Sequence, residues 1–273
     1  MNALGTAIIT GAASGIGAEF ARQLSAAGHD LLVIDKSRDP LESIAADLAA
    51  RHSIVVESLV ADLSDPIQLR RVEQRVFAIE QPALLINAAG FGTTGRFAEI
   101  DVERQIEMIN VHVVAGVRLC RAVLPRMVSR DRGGIVNVCS ISALTRFPES
   151  ATYSATKAYM LTFTEILGIE LEGTRIRVQA LCPGLTRTRF IDTPEMQRFD
   201  RHRLPDWMWM DPADVTGASL KALRHGPVRY IPGLANRFYV FVFGNTIAIA
   251  LLAGYRRARA HLKANVPGFR WLP

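Results

Sequence analysis

Short apolar segments alternate with helix-like segments along most of the chain. The apolar segments, which we expect to be buried strands, lie at 4–10, 31–34, 54–60, 84–86, 135–138 and 178–181. Helical spacing of apolar residues occupies the intervening segments 18–27, 41–50 and 67–79. Fully apolar strands that alternate with amphipathic helices are typical of a parallel sheet covered on both faces. Because crossovers between parallel strands are right-handed, the pattern predicts an α/β fold with a doubly wound parallel sheet.

Size and composition favour one large domain with a short extension. The chain has 273 residues, and its 49% hydrophobic content is enough for a packed core and excludes a disordered chain. We place the main domain at 1–232 and an apolar and basic extension at 233–273. Three scattered cysteines predict neither a disulfide framework nor a metal site, and they favour a reducing setting. No leader-like segment precedes the first strand, so we expect a cytoplasmic protein that begins near Met1.

The formal net charge of +6 is concentrated at the end of the chain. Residues 215–273 hold nine of the 32 Lys and Arg residues and none of the 26 Asp and Glu residues. The first 214 residues therefore carry 23 basic and 26 acidic side chains, a net charge of −3. Since no basic groove with interleaved aromatic residues runs through the body of the chain, we do not expect nucleic-acid binding.

A glycine-rich loop, Thr-Gly-Ala-Ala-Ser-Gly-Ile-Gly at 10–17, joins the first strand to the first helix. Its glycines allow a tight turn, close approach to a pyrophosphate and close packing of the helix, whose N-terminus faces the anion. The positions that we expect to contact a dinucleotide are Gly11, Ser14, Gly15, Ile16 and Gly17. An ordinary glycine-rich turn is the alternative, and Asp35 argues against it.

Asp35 ends the second strand, where a carboxylate can accept both ribose hydroxyl groups of an adenosine. The same carboxylate would repel a 2′-phosphate, so NAD is predicted over NADP. Lys36 follows directly and could pair with that phosphate, which keeps NADP as the alternative.

Three further residues predict a proton-transfer unit. Tyr153 and Lys157 share a helix face at positions i and i+4, and Ser140 follows the strand at 135–138. Ligands of doubly wound folds bind at the carboxyl ends of the strands. A phenol is a poor acid or base at neutral pH unless a cation such as an ammonium or an oxidised nicotinamide stabilises its phenolate. A Tyr-x-x-x-Lys pair alone is usually an exposed helix face, so the prediction depends on its combination with the glycine loop.

Together these motifs resemble the short-chain dehydrogenases/reductases (SDRs) of the single-domain type, which have a Rossmann-type fold. The matching segments are 10–17, Asp62 after a strand, Asn-Ala-Ala-Gly at 87–90, Asn110, Ser140, Tyr153 with Lys157, and Pro183-Gly184. They occur in the family's order and spacing across 4–190. Segments 90–97 and 181–184 are similar to the branch that includes 3-oxoacyl reductases and hydroxysteroid dehydrogenase-like enzymes.

The resemblance implies roles for four catalytic residues. Tyr153 would be the general acid/base, and Ser140 would hydrogen-bond the substrate oxygen. Lys157 would bind the nicotinamide ribose and lower the pKa of Tyr153. Asn110 would distort its helix and hold a water that connects Lys157 to solvent.

The resemblance also implies cofactor contacts beyond the glycine loop. Asp62, with Leu63, would contact the adenine, and Asn87, Ala88 and Gly90 would lie at the adenosine ribose. After the turn at Pro183 and Gly184, Thr186 or Thr188 would contact the carboxamide or the pyrophosphate. Two positions depart from the family pattern: Ala88 replaces an asparagine, and Asp35 replaces the neutral residue that precedes an arginine in NADP-dependent relatives.

Segment 187–211 is predicted to cover the substrate. It contains Phe190, Phe199, Trp207, Met208, Trp209 and Met210. Aromatic and methionine side chains would form an apolar, adaptable pocket, so a hydrophobic alcohol or ketone is expected. In the alternative interpretation, 207–210 only fills a gap between helices.

Segment 238–255 is uncharged, and a basic stretch follows it. It could be a packing or oligomer helix, an interfacial helix on the cytoplasmic face of a membrane, or a spanning helix. The basic flank would suit peripheral contact with anionic lipid through 233–273. By analogy with relatives, a homo-oligomer is also expected.

The sequence thus predicts an NAD-dependent oxidoreductase that transfers a hydride between nicotinamide and a hydrophobic secondary alcohol or ketone. One alternative is an NADPH-dependent reductase of 3-oxoacyl or steroid-like ketones. Another is a non-catalytic, membrane-docked NAD-binding module.

Overall fold

A computed structural model describes residues 4–145, 148–196, 199, 204–244 and 254. Its centre is a parallel sheet of seven strands in the order β3-β2-β1-β4-β5-β6-β7. The strands are β1 (Thr6–Thr10), β2 (Asp30–Asp35), β3 (Val56–Val60), β4 (Pro82–Asn87), β5 (Gly133–Val138), β6 (Ile176–Leu181) and β7 (Arg229–Tyr230). The predicted α/β fold with a doubly wound sheet is confirmed.

Helices cover both faces of the sheet. They are α1 (Gly15–Ala26), α2 (Arg38–Arg51), α3 (Pro66–Phe77), α4 (Val102–Ile109), α5 (Ala115–Ser129), α6 (Ala151–Glu170), α7 (Pro212–His225) and α8 (Leu234–Phe243). One apolar cluster joins α3, α5 and α6 to the sheet, and a second joins α1, α2 and α7 to it. Neighbouring residues of β1 point to opposite clusters, Ile8 to the first and Ile9 to the second, as the two-residue strand period requires.

A π-helical segment, Asn110–Val114, connects α4 to α5, so Val102–Ser129 is one long helix. By length and composition it could cross a membrane, but 44% of its most apolar window is buried in the fold. Leu119 and Val123 of α5 belong to the first apolar cluster. These contacts are those of a core helix against a sheet.

The structure differs from the predicted elements mainly at their ends. The first helix begins at Gly15 instead of 18, because the last glycines of the loop are already helical. Strand β7 was not predicted; it has two residues, and its place depends on hydrogen bonds to β6, including Cys182 N–H to the Tyr230 carbonyl. The predicted apolar run 238–255 lies mostly outside the described residues, which include α8, Gly244 and Gly254.

Candidate active site

The glycine loop forms a cradle that no side chain can enter. Gly11 has φ +69°, and a Cβ there would lie 2.8 Å from the backbone nitrogen of Ala89. A Cβ at Gly17 would lie 2.1 Å from the Gly11 carbonyl oxygen. The Ser14 side chain makes no capping hydrogen bond to α1. The first-turn N–H groups of α1, including those of Gly15 and Ile16, are therefore available to an anion.

The two candidate threonines have different environments. A Cβ at Gly15 would lie 3.1 Å from Cγ2 of Thr188, so Thr188 lies against the glycine loop. Thr186 donates its hydroxyl to the carbonyl of Gly184, 3.1 Å away, in the turn that starts at Pro183. Thr188 thus lies against the expected phosphate loop, and contact of either threonine with a cofactor stays a prediction.

Two carboxylates lie at the carboxyl ends of β2 and β3. Asp35 accepts the Ala13 N–H at 3.1 Å through Oδ2 and the Ser37 N–H at 2.9 Å through Oδ1. Asp62 precedes the buried Leu63 and accepts both the backbone N–H and the hydroxyl of Ser64. Burial raises the pKa of Asp62, but the Ser64 hydrogen bonds outweigh burial and leave this pKa below its usual value. Asp62 is therefore ionised at neutral pH.

Hydrogen bonds to Thr10 fix the backbone of the segment after β4. Thr10 Oγ1 accepts the N–H groups of Ala88 and Ala89, both at 3.1 Å. The Asn87 side-chain amide donates to Asn137 Oδ1 at 2.8 Å, so this group is engaged inside the fold. Gly90 lies at the Lys157 end of the crevice, because a Cβ there would lie 3.6 Å from Lys157 Nζ. The adenosine-ribose contacts expected for Asn87, Ala88 and Gly90 stay predictions.

The three predicted catalytic side chains meet at the carboxyl end of β5. Tyr153 and Lys157 project from α6, and the Tyr153 hydroxyl lies near enough to buried Ser140 for the two hydroxyls to interact. Lys157 donates from Nζ to the Val138 carbonyl at 2.8 Å, and Nζ lies 5.7 Å from the centre of the Tyr153 ring. The arrangement places a phenol and a hydroxyl side by side, with an ammonium group near them.

Burial dominates the electrostatics of this cluster. Burial raises the pKa of Tyr153 to about 12, although the Ser140 interaction acts in the opposite direction. The lowering of this pKa that we expect from Lys157 stays a prediction. Burial also lowers the pKa of Lys157 to about 8, so its ammonium is charged at pH 7.

Asn110 begins the π-helical segment, which matches the expected distortion of its helix. Its amide donates to the Ser64 carbonyl at 3.4 Å. His112, which lies within this π-helical segment, reaches α6 and is hydrogen-bonded there to Thr156. The water expected between Asn110 and Lys157 stays a prediction.

His112 is a buried residue of the site that the sequence analysis missed. Its Nε2 accepts the Phe91 N–H at 3.1 Å, so Nδ1 carries the proton and donates it to Thr156 Oγ1 at 2.9 Å. Its ring contacts Tyr153 edge-on at 5.8 Å. Burial and the charge of Lys157 hold the pKa of His112 well below its usual range. Its position two residues after Asn110 was the only pointer to it in the sequence.

The cover segment lies over Tyr153 on the substrate side. The Phe190 ring is 5.8 Å from that of Tyr153, and Gly92 lies so close to Phe190 and Met196 that a Cβ would meet both within 3.0 Å. Trp209 packs against Phe199 at 6.5 Å. Trp207 departs from the expectation, because it is 70% exposed and does not line the pocket.

Two contacts fix the cover to the rest of the fold. Thr186 and Met210 form a β-bridge at its two ends. Arg104 of α4 pairs with Glu195 at 2.8 Å and stacks on the ring of Phe91 at 3.7 Å. The cover is therefore attached at its base and also at its far side.

Comparison with known proteins extends over the fold and the site. Residues 5–197 match the family described as short chain dehydrogenase. An uncharacterized oxidoreductase of Staphylococcus saprophyticus is 32% identical over 222 residues, which is 80% of this chain and 90% of that protein. A short-chain dehydrogenase from Sphingobium yanoikuyae, solved in complex with NADPH, is 31% identical with a TM-score of 0.78 over 98% of both chains. The bulky-bulky ketone specific alcohol dehydrogenase from Comamonas testosteroni is 27% identical with a TM-score of 0.75, over 98% of this chain and 97% of that one.

Proposed function

The chain belongs to the short-chain dehydrogenase family of NAD(P)-dependent oxidoreductases, which act on CH–OH groups, and we propose that it interconverts a hydrophobic secondary alcohol and its ketone with NAD(H). The observation that carries the proposal is the meeting of Tyr153 and Ser140 at the carboxyl end of β5, with Lys157 Nζ 5.7 Å from the Tyr153 ring centre. At Gly11 and Gly17 the backbone of the loop packs too closely for any side chain, as the tight turn of a dinucleotide-binding loop requires, so these residues fit such a cofactor.

Tyr153 acts as the proton donor and acceptor. With a pKa of about 12 its hydroxyl is protonated at neutral pH and can give its proton to a carbonyl oxygen, while Ser140 hydrogen-bonds the same oxygen. When bound, a nicotinamide would supply or accept the hydride, and the positive charge of its oxidised ring would favour the phenolate form of Tyr153 that alcohol oxidation needs. Lys157 uses one N–H for Val138 and keeps two further donors for a ribose.

Asp35 supports NAD as the cofactor. Its two oxygens already accept the N–H groups of Ala13 and Ser37, which orients the carboxylate at the loop where an adenosine ribose would lie. A 2′-phosphate would approach this charge directly. NADPH is the second candidate, since the Sphingobium relative was solved with it and Lys36 is exposed next to Asp35.

The side chains near Tyr153 support an apolar substrate. Phe190, Phe91 and Met196 surround the Tyr153 side of the crevice, and Arg104 there is already engaged by Glu195. A similar enzyme from Comamonas is specific for ketones with two bulky groups. We therefore expect ketones with large apolar substituents to be better substrates than short ones.

We also expect a homo-oligomer. Large apolar side chains are exposed on α4 at Ile106 and Ile109 and on α6 at Ile166 and Ile169. Rows of this kind suit a self-complementary helix interface between two copies. Light scattering checks the expected mass of at least a dimer, and a monomer at micromolar concentration would contradict it. The cytoplasmic location stays a prediction.

The test of the activity is Tyr153→Phe, with oxidation of NADH followed at 340 nm on a panel of ketones. The variant is expected to lose at least about 100-fold in kcat, the contribution of one acid–base group, and to keep its NADH affinity. Tyr159→Phe is the matched control, because Tyr159 lies on the same helix with its ring half exposed against Phe163. Full activity of Tyr153→Phe would refute the proton donor, and absence of turnover in the native enzyme would favour a non-catalytic NAD-binding module.

A further inference from the structure

Helix α8 presents an apolar face to solvent. Leu234 is 80% exposed, Phe238 is 69% exposed and Phe241 is 78% exposed. Their spacing of four and three residues places them on the same side of the helix. The opposite side is anchored in the fold by Asn236, which is buried and donates to the Pro232 carbonyl at 2.9 Å.

A neighbouring turn carries a further exposed aromatic side chain. The short helix Asp206–Met208 lies against α8, and Trp207 within it is also exposed. Asp206, the acidic residue beside Trp207, pairs with Arg187 at 3.5 Å. We call Leu234, Phe238, Phe241 and Trp207 the α8 patch. Large contiguous apolar patches on a protein surface mark sites of interaction with proteins or membranes.

Charge favours an anionic partner. From Val215 to the end of the chain there is no Asp or Glu, and there are nine Lys and Arg residues. Arg237 lies on α8 itself, one position before Phe238. An apolar helix face with phenylalanine, in a stretch of chain that holds basic and no acidic residues, is the composition of interfacial lipid-binding helices. With ten residues, α8 is too short to span a bilayer, which needs about 20.

The side of α8 opposite the patch packs against segments that lead to the active site. A Cβ at Gly184, in the turn after β6, would lie 2.1 Å from Asn236 Oδ1 at the start of α8. A Cβ at Gly244, just after α8, would lie 3.0 Å from the carbonyl oxygen of Leu144, four residues after Ser140. The helix therefore runs from the cofactor turn to the segment that carries the catalytic serine.

We propose that the α8 patch binds the surface of an anionic membrane and so holds the active site close to the lipid. Side chains of the patch insert at the level of the headgroups, and the basic residues of 215–273 attract acidic lipids. The second part rests on the proposed function: a hydrophobic alcohol or ketone would enter from the bilayer and would not need to cross water.

The test is binding of the full chain to vesicles, measured by co-sedimentation without substrate or cofactor. One set of vesicles is phosphatidylcholine with 30% phosphatidylserine, and the other is phosphatidylcholine alone. The native protein is expected to bind the anionic vesicles more tightly, and to lose binding as salt rises. The double variant Leu234→Gln, Phe238→Gln is expected to bind at least about tenfold more weakly, equivalent to about 1.4 kcal/mol. Ile67→Gln on α3 is the matched control, because Ile67 is equally exposed outside the patch and its loss should not change binding.

Each other outcome overturns the proposal. Native protein that binds neither vesicle refutes it, and so does binding that the double variant leaves unchanged. A native oligomer that the double variant dissociates, with no vesicle binding, assigns the α8 patch to a second copy of the chain. Turnover of a water-soluble ketone without vesicles is measured in parallel. Because that assay is independent of lipid, native protein that turns over the ketone but binds no vesicles rejects the membrane surface and leaves the enzyme activity standing.

Discussion

Replacement of Asp35 by serine is expected to reverse the cofactor preference. A 2′-phosphate at the position of the ribose hydroxyl groups would lie about 4 Å from the carboxylate, where two unit charges repel by about 4 kcal/mol at an effective dielectric constant of 20. Asp35 is only partly buried, so we halve this value for solvent screening, to about 2 kcal/mol. That energy corresponds to a preference of about 30-fold for NAD over NADP in the native enzyme.

Asp35→Ser removes this repulsion and also a charged acceptor for the ribose. NADP is expected to bind about 30-fold more tightly than before, and NAD about tenfold more weakly, since hydrogen bonds to charged groups contribute about 1.5–3 kcal/mol. Dissociation constants from quenching of tryptophan fluorescence, at two salt concentrations, measure both changes. The repulsion should be smaller at the higher salt concentration.

Asp30→Ser is the control, because Asp30 begins the same strand β2 and likewise accepts a backbone N–H, that of Val55 at 2.9 Å. It should reproduce any loss of stability from the missing backbone hydrogen bonds without a change in cofactor preference. A native enzyme that binds NADP more tightly than NAD would refute the role that we assign to Asp35.

The remaining predictions concern stability and the groups around Tyr153. For Lys157, the folded pKa of about 8 lies below the unfolded value of 10.5, so the unfolded chain holds more protons between these pH values. The free energy of unfolding of the native protein should therefore rise by up to about 3 kcal/mol relative to that of Lys157→Met between pH 8 and 10.5. Urea unfolding measures both, and a difference between them that does not change with pH would contradict the buried ammonium. The pKa of His112 is also lowered, so the free energy of unfolding should fall as pH drops below about 6.5. His112→Gln should remove that fall. The same variant should reduce kcat about tenfold and keep its NADH affinity. Gly17→Ala should lower the melting temperature and abolish NADH binding, because its Cβ would meet the Gly11 carbonyl oxygen. Gly217→Ala on α7, whose Cβ would make only ordinary van der Waals contact with Gln23, should stabilise the protein by up to about 1 kcal/mol; equal effects of the two changes would refute the tight packing of the glycine loop.

The sequence predicted the parts of the site that depend on neighbours along the chain. The glycine loop and Asp35 are each tied to one strand end, and Tyr153 and Lys157 are four residues apart on one helix. A parallel sheet brings the carboxyl ends of its strands to one edge, so Ser140 could be placed without coordinates. The family match and the strand order confirm the fold that this pattern predicted.

Contacts between distant segments could not be predicted in this way. His112 owes its place to the Phe91 N–H and to Thr156, 21 and 44 residues away. The raised pKa of Tyr153 depends on burial, to which Phe190 of the cover contributes by packing on its ring. Trp207 was expected in the pocket but is exposed. An irregular segment lacks the periodicity that separates inward from outward side chains, so the sequence could not show which way Trp207 faces.

The bridge between Thr186 and Met210 has an evolutionary consequence. Hydrogen bonds on both sides of it, from Arg187 N–H to the Met210 carbonyl and from Met210 N–H to the Leu185 carbonyl, bring the two ends of the cover to one point. A loop whose ends are already joined can change in length or sequence at little entropic cost and without disturbing the strands beneath it. New substrate preferences could therefore arise by replacement of the cover segment alone, while the residues for hydride and proton transfer stay unchanged.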